Sequence, residues 1–427
     1  MKTLVNPERE TWQELLKRPQ LELEFLESSV RNTINRVKLS GDLALRELTL
    51  QYDHANIENV AVSEKEIQEA ILKLADSIKN AIQLAAANIK KFHQHQKSEA
   101  IAVETMPGIT CWRKSLPIQK VGIYIPGGTA PLFSTVLMLG IPAMLAGCEE
   151  IILCTPPYSD GSVNGAILFA ASLSGIKKIY KVGGAQAIAA MAYGTQSIPA
   201  VNKIFGPGNQ YVTKAKQMVN QDGVAIDMPA GPSEVMVIAD EHADASFIAA
   251  DLLSQAEHGI DSQVVLLSLS ESSIDAVQKE IGNQLSHLPR KEIARQALNN
   301  SLAIYFSKKE VAIHFANEYA PEHLIINTID CDAIADQIIN AGSIFLGPLS
   351  PEAVGDYASG TNHTLPTNGF AKAYSGVSLE SFTKTITYQK LTAAGLRNIG
   401  PSVEIMAEAE QLEGHKRAVS IRLKKLK

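Results

Sequence analysis

The chain has 427 residues, 45% of them hydrophobic and 20% charged, and a formal net charge of -6. That is material for two or three domains with buried cores, and the mildly acidic balance argues against a general binder of nucleic acid or anionic membrane. The apolar run 133–147 is too short to span a bilayer, the polar N-terminus has no signal-peptide core, and the four cysteines form no C-x-x-C pair, so a cytoplasmic protein with reduced thiols is expected.

Residues 1 to about 95 carry helical periodicity, through 12–16, 21–37, 44–52 and 64–89. From Val121 the texture changes. Short β-branched runs at 121–125, 151–154, 178–182 and 203–205 alternate with Ala-rich, helix-length stretches. This is the rhythm of a parallel sheet covered on both faces. A second set, at 235–239, 264–268, 303–306, 324–327 and 343–346, predicts a second α/β unit that draws its helices partly from the N-terminal region. After about residue 375 the pattern weakens into a tail, with a Thr/Tyr-rich run at 381–388 and then a helix opened by Pro401. The basic run 416–427 reads as the solvated end of a terminal helix, complementing its dipole.

Three turns at strand ends of the first unit lack bulky side chains: Pro126-Gly127-Gly128-Thr129, Gly183-Gly184-Ala185-Gln186 and Gly206-Pro207-Gly208-Asn209. Glycine lets backbone amides approach a phosphate, and the carboxyl edge of an open parallel sheet is where ligands bind. Any one of them is also ordinary turn chemistry. No G-x-G-x-x-G with a downstream acid is present, so a dinucleotide would bind by a variant mode.

The stretch Leu253-Ser254-Gln255-Ala256-Glu257-His258-Gly259 places Gln255 and His258 on one face of the last turn of a helix that Asp244 can cap. A helix C-terminus carries partial negative charge and favours a cation, although a histidine there can equally bond open carbonyls. One imidazole and one amide do not make a metal site, so further ligands must come from elsewhere. Ala320-Pro321-Glu322-His323-Leu324 sets a carboxylate beside an imidazole just before a strand, as a general base and a water-activating acid require; a surface Glu-His pair reads the same way. Asp356 and His363 share a Gly-bounded loop, and Glu410 and His415 lie near the chain end, where a solvated histidine is the plain alternative.

Together these strings resemble the histidinol dehydrogenase family, in the same order and over nearly the whole chain. The resemblance rests on Val121-Gly122-Ile123-Tyr124-Ile125-Pro126-Gly127-Gly128, Val182-Gly183-Gly184-Ala185-Gln186-Ala187, Ile204-Phe205-Gly206-Pro207-Gly208-Asn209 and Asp227-Met228-Pro229-Ala230-Gly231-Pro232-Ser233-Glu234, with the segments at 254–259, 320–324 and 355–366. It implies an α/β fold of two incomplete Rossmann-like domains in an intertwined homodimer. The expected division is an N-terminal helical segment 1–19, a discontinuous domain 20–123 with 236–375, an NAD-binding domain 124–235, and a tail 376–427 that crosses to the partner.

The resemblance also implies one zinc ion per subunit on Gln255, His258, Asp356 and His415. Ser233, Gln255, His258, His323, Asp356, His363, Glu410 and His415 would contact L-histidinol, Tyr124, Gln186 and Asn209 would bind NAD, and Glu322 and His323 would do the acid-base work. Glu410 and His415 are expected to serve the partner's site. The implied activity is a sequential four-electron oxidation of L-histidinol to L-histidine through the aldehyde, the last two steps of histidine biosynthesis. A zinc hydrolase using Glu322 would have no need of three glycine turns. A non-catalytic nucleotide binder would be expected to lack some of Gln255, His258, Glu322, His323, Asp356 and His415, and all are present.

Overall fold

Two parallel sheets with the same internal strand order organise the chain. The computed structural model describes residues 1–18, 23–97, 99–127, 131–229 and 231–426, without the side chains of 23–25. Its strands are β1 (Lys2–Val5), β2 (Ala102–Met106), β3 (Ile109–Pro117), β4 (Lys120–Tyr124), β5 (Glu150–Thr155), β6 (Lys178–Lys181), β7 (Lys203–Phe205), β8 (Ala225–Ile226), β9 (Glu234–Ala239), β10 (Gln263–Ser268), β11 (Leu302–Tyr305), β12 (His323–Asn327), β13 (Ser343–Leu346) and β14 (Thr383–Leu391). The first sheet runs β6-β5-β4-β7-β8 and the second β1-β11-β10-β9-β12-β13, both parallel throughout. Counted from β4 and from β9, each has the doubly wound order third, second, first, fourth, fifth. The order reverses between β4 and β7 and between β9 and β12. The strands expected from the β-branched runs all form.

Alternation along the strands sorts the first sheet's side chains into two layers. Val121, Ile123 and Leu153 pack with the helices Asp76–Gln94, Phe133–Ala146 and Gly165–Leu173. Tyr124, Ile152 and Cys154 pack on the other face with Leu23–Ser40, Asp42–Asp53, Gly184–Tyr193 and Gln210–Gln221. The helices between Leu23 and Gln94 therefore cover the first sheet, where the expected grouping set 20–123 with 236–375; of the N-terminal region, the short helix Trp12–Leu15 reaches the second sheet. The stripe Leu26, Val30, Ile34, Val37 marks a buried helix face, but a stripe does not say which sheet it meets. The expected boundary between residues 19 and 20 lies outside the described residues. The second sheet is covered by Ala245–Ala256, Glu271–Leu285 and Lys291–Asn299 on one face, and by Trp12 with Lys309–Tyr319 on the other.

Three local expectations change. Residues 2–5 form β1, an exposed edge strand parallel to the buried β11, rather than part of a helical segment. The span 64–89 divides into Glu64–Lys73, opened by a Ser63–Glu66 capping box, and Asp76–Gln94. Pro401 lies inside the helix Ala393–Ala409 and does not open it; the start belongs to Thr392, whose side chain accepts from the Gly395 N–H. The Thr/Tyr-rich run becomes β14 in the antiparallel sheet β14-β3-β2, with Tyr388 stacked on Trp112 at 5.3 Å. The final helix, Glu413–Lys425, does carry Arg422, Lys424 and Lys425 in its last turn. Among the described residues no helix is long and apolar enough to cross a membrane, and all four cysteines are free.

Candidate active site

At the carboxyl edge of the first sheet, backbone N–H groups and helix starts converge. Tyr124 ends β4, is buried, and its hydroxyl accepts the Gly184 N–H at 3.0 Å. Gln186 is buried in the first turn of Gly184–Tyr193. Asn209 caps Gln210–Gln221, its side chain accepting from the N–H groups of Tyr211 and Val212. Gly206 adopts φ +124°, and a Cβ there would collide with the Tyr124 carbonyl oxygen, so only glycine closes this turn. Behind it stands a buried ion pair: Lys216 holds Asp227 and donates to the Gly206 carbonyl at 2.9 Å, while Asp227 Oδ2 accepts the Gly206 N–H at 2.8 Å. Tyr124, Gln186 and Asn209 border one cleft of about 720 Å³. Gly128 and Thr129 of the first glycine turn lie outside the described residues.

The second cluster sits at the opposite edge of the other sheet, where β9 and β12 begin. The helix Ala245–Ala256, capped by Asp244, runs back antiparallel to β9 and delivers Gln255, and then His258, to that edge. Glu322 is buried, and its Oε2 accepts the Glu234 N–H at 3.0 Å. His323 Nδ1 lies 3.3 Å from the Glu234 carbonyl, 3.2 Å from Gln255 Nε2 and 3.6 Å from Glu322 Oε2. A proton on Nδ1, facing the carbonyl, leaves Nε2 turned to Asp356 Oδ1 at 3.3 Å. Asp356 comes from the short helix Glu352–Tyr357, whose Glu352 Oε1 accepts from Gln255 Nε2 at 2.5 Å. A buried pair supports the strand start: Arg18 Nε meets Glu234 Oε2 at 2.8 Å, and its guanidinium lies 3.5 Å over the Tyr319 ring.

Electrostatics follow from this burial. Burial raises the Glu322 carboxyl above its usual range, and pushes Glu352 up to about 8. Burial alone would lower His323, but Glu352, Glu322 and Asp356 together outweigh it and hold the imidazole well above the ordinary histidine value. Burial would raise Asp356 too, but the His323 imidazole 3.3 Å away and the nearby His363 and His258 keep it below the normal carboxylate range. His258 and His363 are both lowered by burial.

His363 ties the two regions together. Its Nδ1–H donates to the Asp356 carbonyl at 2.7 Å, which leaves Nε2 to accept from the Thr135 hydroxyl at 2.9 Å. Thr135 belongs to Phe133–Ala146, the helix that follows β4. Pro142 inside that helix lacks an N–H, so the Met138 carbonyl has no helical partner, and Asn362 Nδ2 takes it at 2.6 Å. Asn88 holds the same loop by donating to the Ala358 carbonyl at 2.9 Å. Ser233 lies one residue before β9, and its carbonyl accepts the Gln263 N–H.

Gln255, Glu322, His323, Asp356 and His363 are thus brought into one place, with His258 beside them. Glu410 and His415 are not: Glu410 ends the helix Ala393–Ala409, His415 lies in Glu413–Lys425, and neither side chain bonds the cluster among the described residues. Glu352 escaped sequence reasoning because a carboxylate after Pro351 looks like ordinary helix-start chemistry; Arg18 and Glu234, 216 positions apart, leave no local pattern. The donor set fits a metal ion. Gln255 Oε1, Asp356 Oδ1, His323 Nε2 and Glu352 Oε2 are buried without a hydrogen bond among the described residues, and one ligand atom each from His323, Glu352 and Asp356 lie within 4.8 Å of one another. Unpaired buried acceptors are costly unless something positive meets them.

Comparison with known proteins bears on the family of the whole chain. The profile of the histidinol dehydrogenase family matches residues 16–423. A histidinol dehydrogenase of Bacteroides fragilis strain YCH46 is 58% identical over 427 residues, covering 100% of both chains. One from Vibrio vulnificus strain YJ016 is 53% identical over 415 residues, 96% of this chain and 95% of that one. The crystal structure of histidinol dehydrogenase from Elizabethkingia anophelis superposes with a TM-score of 0.98 at 55% identity, covering 100% of this chain and 98% of that chain. By family profile, full-length identity and fold, the chain belongs to the histidinol dehydrogenase family.

Proposed function

We propose that the chain is a zinc- and NAD-dependent oxidoreductase that converts L-histidinol to L-histidine through L-histidinaldehyde, completing histidine biosynthesis. The observation that carries this reading is the buried Glu322–His323 pair set against the unpaired oxygens of Gln255 and Asp356. Gln255, His258 and Asp356 would hold zinc with His415 of a second copy, and Tyr124, Gln186 and Asn209 would hold NAD. When bound, zinc would anchor the substrate's nitrogen atoms and offset the surrounding carboxylates, and NAD would accept hydride in each oxidation.

The chain's own residues manage protons and water. His323 Nε2, with Nδ1 fixed against the Glu234 carbonyl, takes the hydroxyl proton of the alcohol as the carbinol carbon loses hydride. Glu322, held by the Glu234 N–H and raised by burial, takes a proton from a water that adds to the aldehyde. The hydrated aldehyde then gives a second proton to His323 as it loses a second hydride, leaving the carboxylate. Ser233, His363 and the partner's Glu410 orient the substrate, with Glu410 facing the imidazole ring.

NADH absorbance rising with histidinol and NAD on the zinc-loaded protein tests the assignment; hydrolysis without NADH would favour the metallohydrolase alternative. A shared site makes a further test possible. His415→Ala mixed with the double variant Glu322→Gln, His323→Asn should regain activity in heterodimers, and no recovery after verified subunit exchange would place the site within one chain.

A further inference from the structure

The cleft at the first sheet's carboxyl edge has one charged residue among its described lining, Asp53, and the rest are Tyr, Pro, Ser, Thr, Asn, Gln and small or apolar side chains. Asp53 ends the helix Asp42–Asp53, and its Oδ2 is buried with no hydrogen-bond partner among the described residues. Folds of this strand order ordinarily carry an acid for the ribose at the end of the second strand. Here β5 ends in Thr155 and is followed by Pro156 and Pro157, with no carboxylate at that position. The N-terminal helices place one in the cleft from outside the sheet.

Which half of the ligand Asp53 meets follows from the two helical layers. The reacting loop is tied to the first sheet through Thr135, Met138 and Asn88, all on helices of one face. The helix Asp42–Asp53 packs on the other face. A dinucleotide reaching His323 with its nicotinamide leaves its adenosine half toward Asp53.

We propose that Asp53 selects the cofactor, accepting hydrogen bonds from the adenosine ribose hydroxyls and excluding a dinucleotide with a 2′-phosphate there. This rests on the reading of the cleft as the NAD site. A carboxylate accepts from two neighbouring hydroxyls at once, and a phosphate dianion in the same place meets a like charge with no Lys or Arg among the described lining residues to offset it. Burial lifts the Asp53 carboxyl to about 6, so it is ionised at pH 8.

Titration calorimetry on the zinc-loaded full chain, without histidinol, tests this by binding alone. Wild type should favour NAD over NADP by about tenfold or more, and Asp53→Asn should bring the two within about threefold. 2′-Deoxy-NAD should bind wild type about tenfold more weakly than NAD, an arm that needs no variant and decides the matter if Asp53→Asn fails to fold. An unchanged NAD/NADP ratio in a folded Asp53→Asn protein, or 2′-deoxy-NAD binding as tightly as NAD, overturns the role of Asp53 while leaving the cleft as the NAD site. Wild type that binds no dinucleotide overturns the cleft reading and this inference with it.

Discussion

The two parallel sheets share one strand order but use opposite edges, and each edge suits a different charge. At the carboxyl edge of the first sheet, the helices Gly184–Tyr193 and Gln210–Gln221 begin, so the positive ends of their dipoles face the cleft. That edge is prepared for an anion, with glycine turns that admit it closely. At the amino edge of the second sheet, the helix Ala245–Ala256 ends, and Glu322, Glu352 and Asp356 gather around His323. That edge is prepared for a cation. On the proposed reading, the same strand order serves a phosphate-type site at one end of the strands and a metal-type site at the other, and the loop carrying His363 is bonded to both regions.

If the edges divide the labour, substitutions at one should spare the other. The largest effect is expected from His323→Asn, which should depress both oxidations by about 10²- to 10⁴-fold while NAD affinity stays unchanged. Glu322→Gln should slow the aldehyde step more than the alcohol step, and equal losses in the two half-reactions would count against its assignment to water. Chelation should abolish turnover and zinc restore it, again without loss of NAD binding.

Stability of the amino edge should depend on the buried pair beneath it. Arg18 and Glu234 side chains are 7% and 1% exposed, so Arg18→Met, which strands the carboxylate, should cost about 3–5 kcal/mol by urea unfolding. A loss under 1 kcal/mol would mean that Glu234 finds another partner. Metal affinity should fall about 10- to 100-fold in Glu352→Gln, measured against a competing chelator, because Glu352 fixes the Gln255 amide so that its oxygen is left for the ion. Unchanged affinity would remove Glu352 from the metal site.

The smallest effect is on pH dependence. Burial raises Asp251 to about 7, above its unfolded value near 4. The folded state then binds the extra proton between those values, so this group's contribution falls as pH rises through the window and the cost is complete above about 7. Asp251→Asn should stabilise the protein at pH 8 by on the order of 1–2 kcal/mol and much less at pH 4. A gain equal at both pH values would deny the shift.

Much of this division was legible in the sequence, for identifiable reasons. A strand buried on both faces is a compact β-branched run, so β4 to β7 and β9 to β12 announce themselves. Glycine turns and the Glu322–His323 adjacency are local patterns, and so is the Gln255–His258 spacing. Partnerships across long separations are not. Nothing near Lys2–Val5 signals a strand, because it lies on an exposed edge and three of its four residues face solvent. Nothing in the helices at 23–53 names the sheet they cover. Pro401 looked like a helix start because the stronger signal, Thr392 before Ala393, sits between a strand and a helix and reads as loop chemistry. The second carboxylate shell, Glu352 and Glu234, became visible only when β9, β12 and the helix Glu352–Tyr357 met.

On the proposed reading, two buried bases, His323 for the alcohol and Glu322 for water, act on a single carbon through two successive oxidations. Counting NADH formed per histidinol consumed, with zinc-loaded protein and excess NAD, tests it most directly. Two NADH per histidinol, with histidine as product, is the result expected; one NADH with aldehyde accumulating would contradict the account and leave a simple alcohol dehydrogenase.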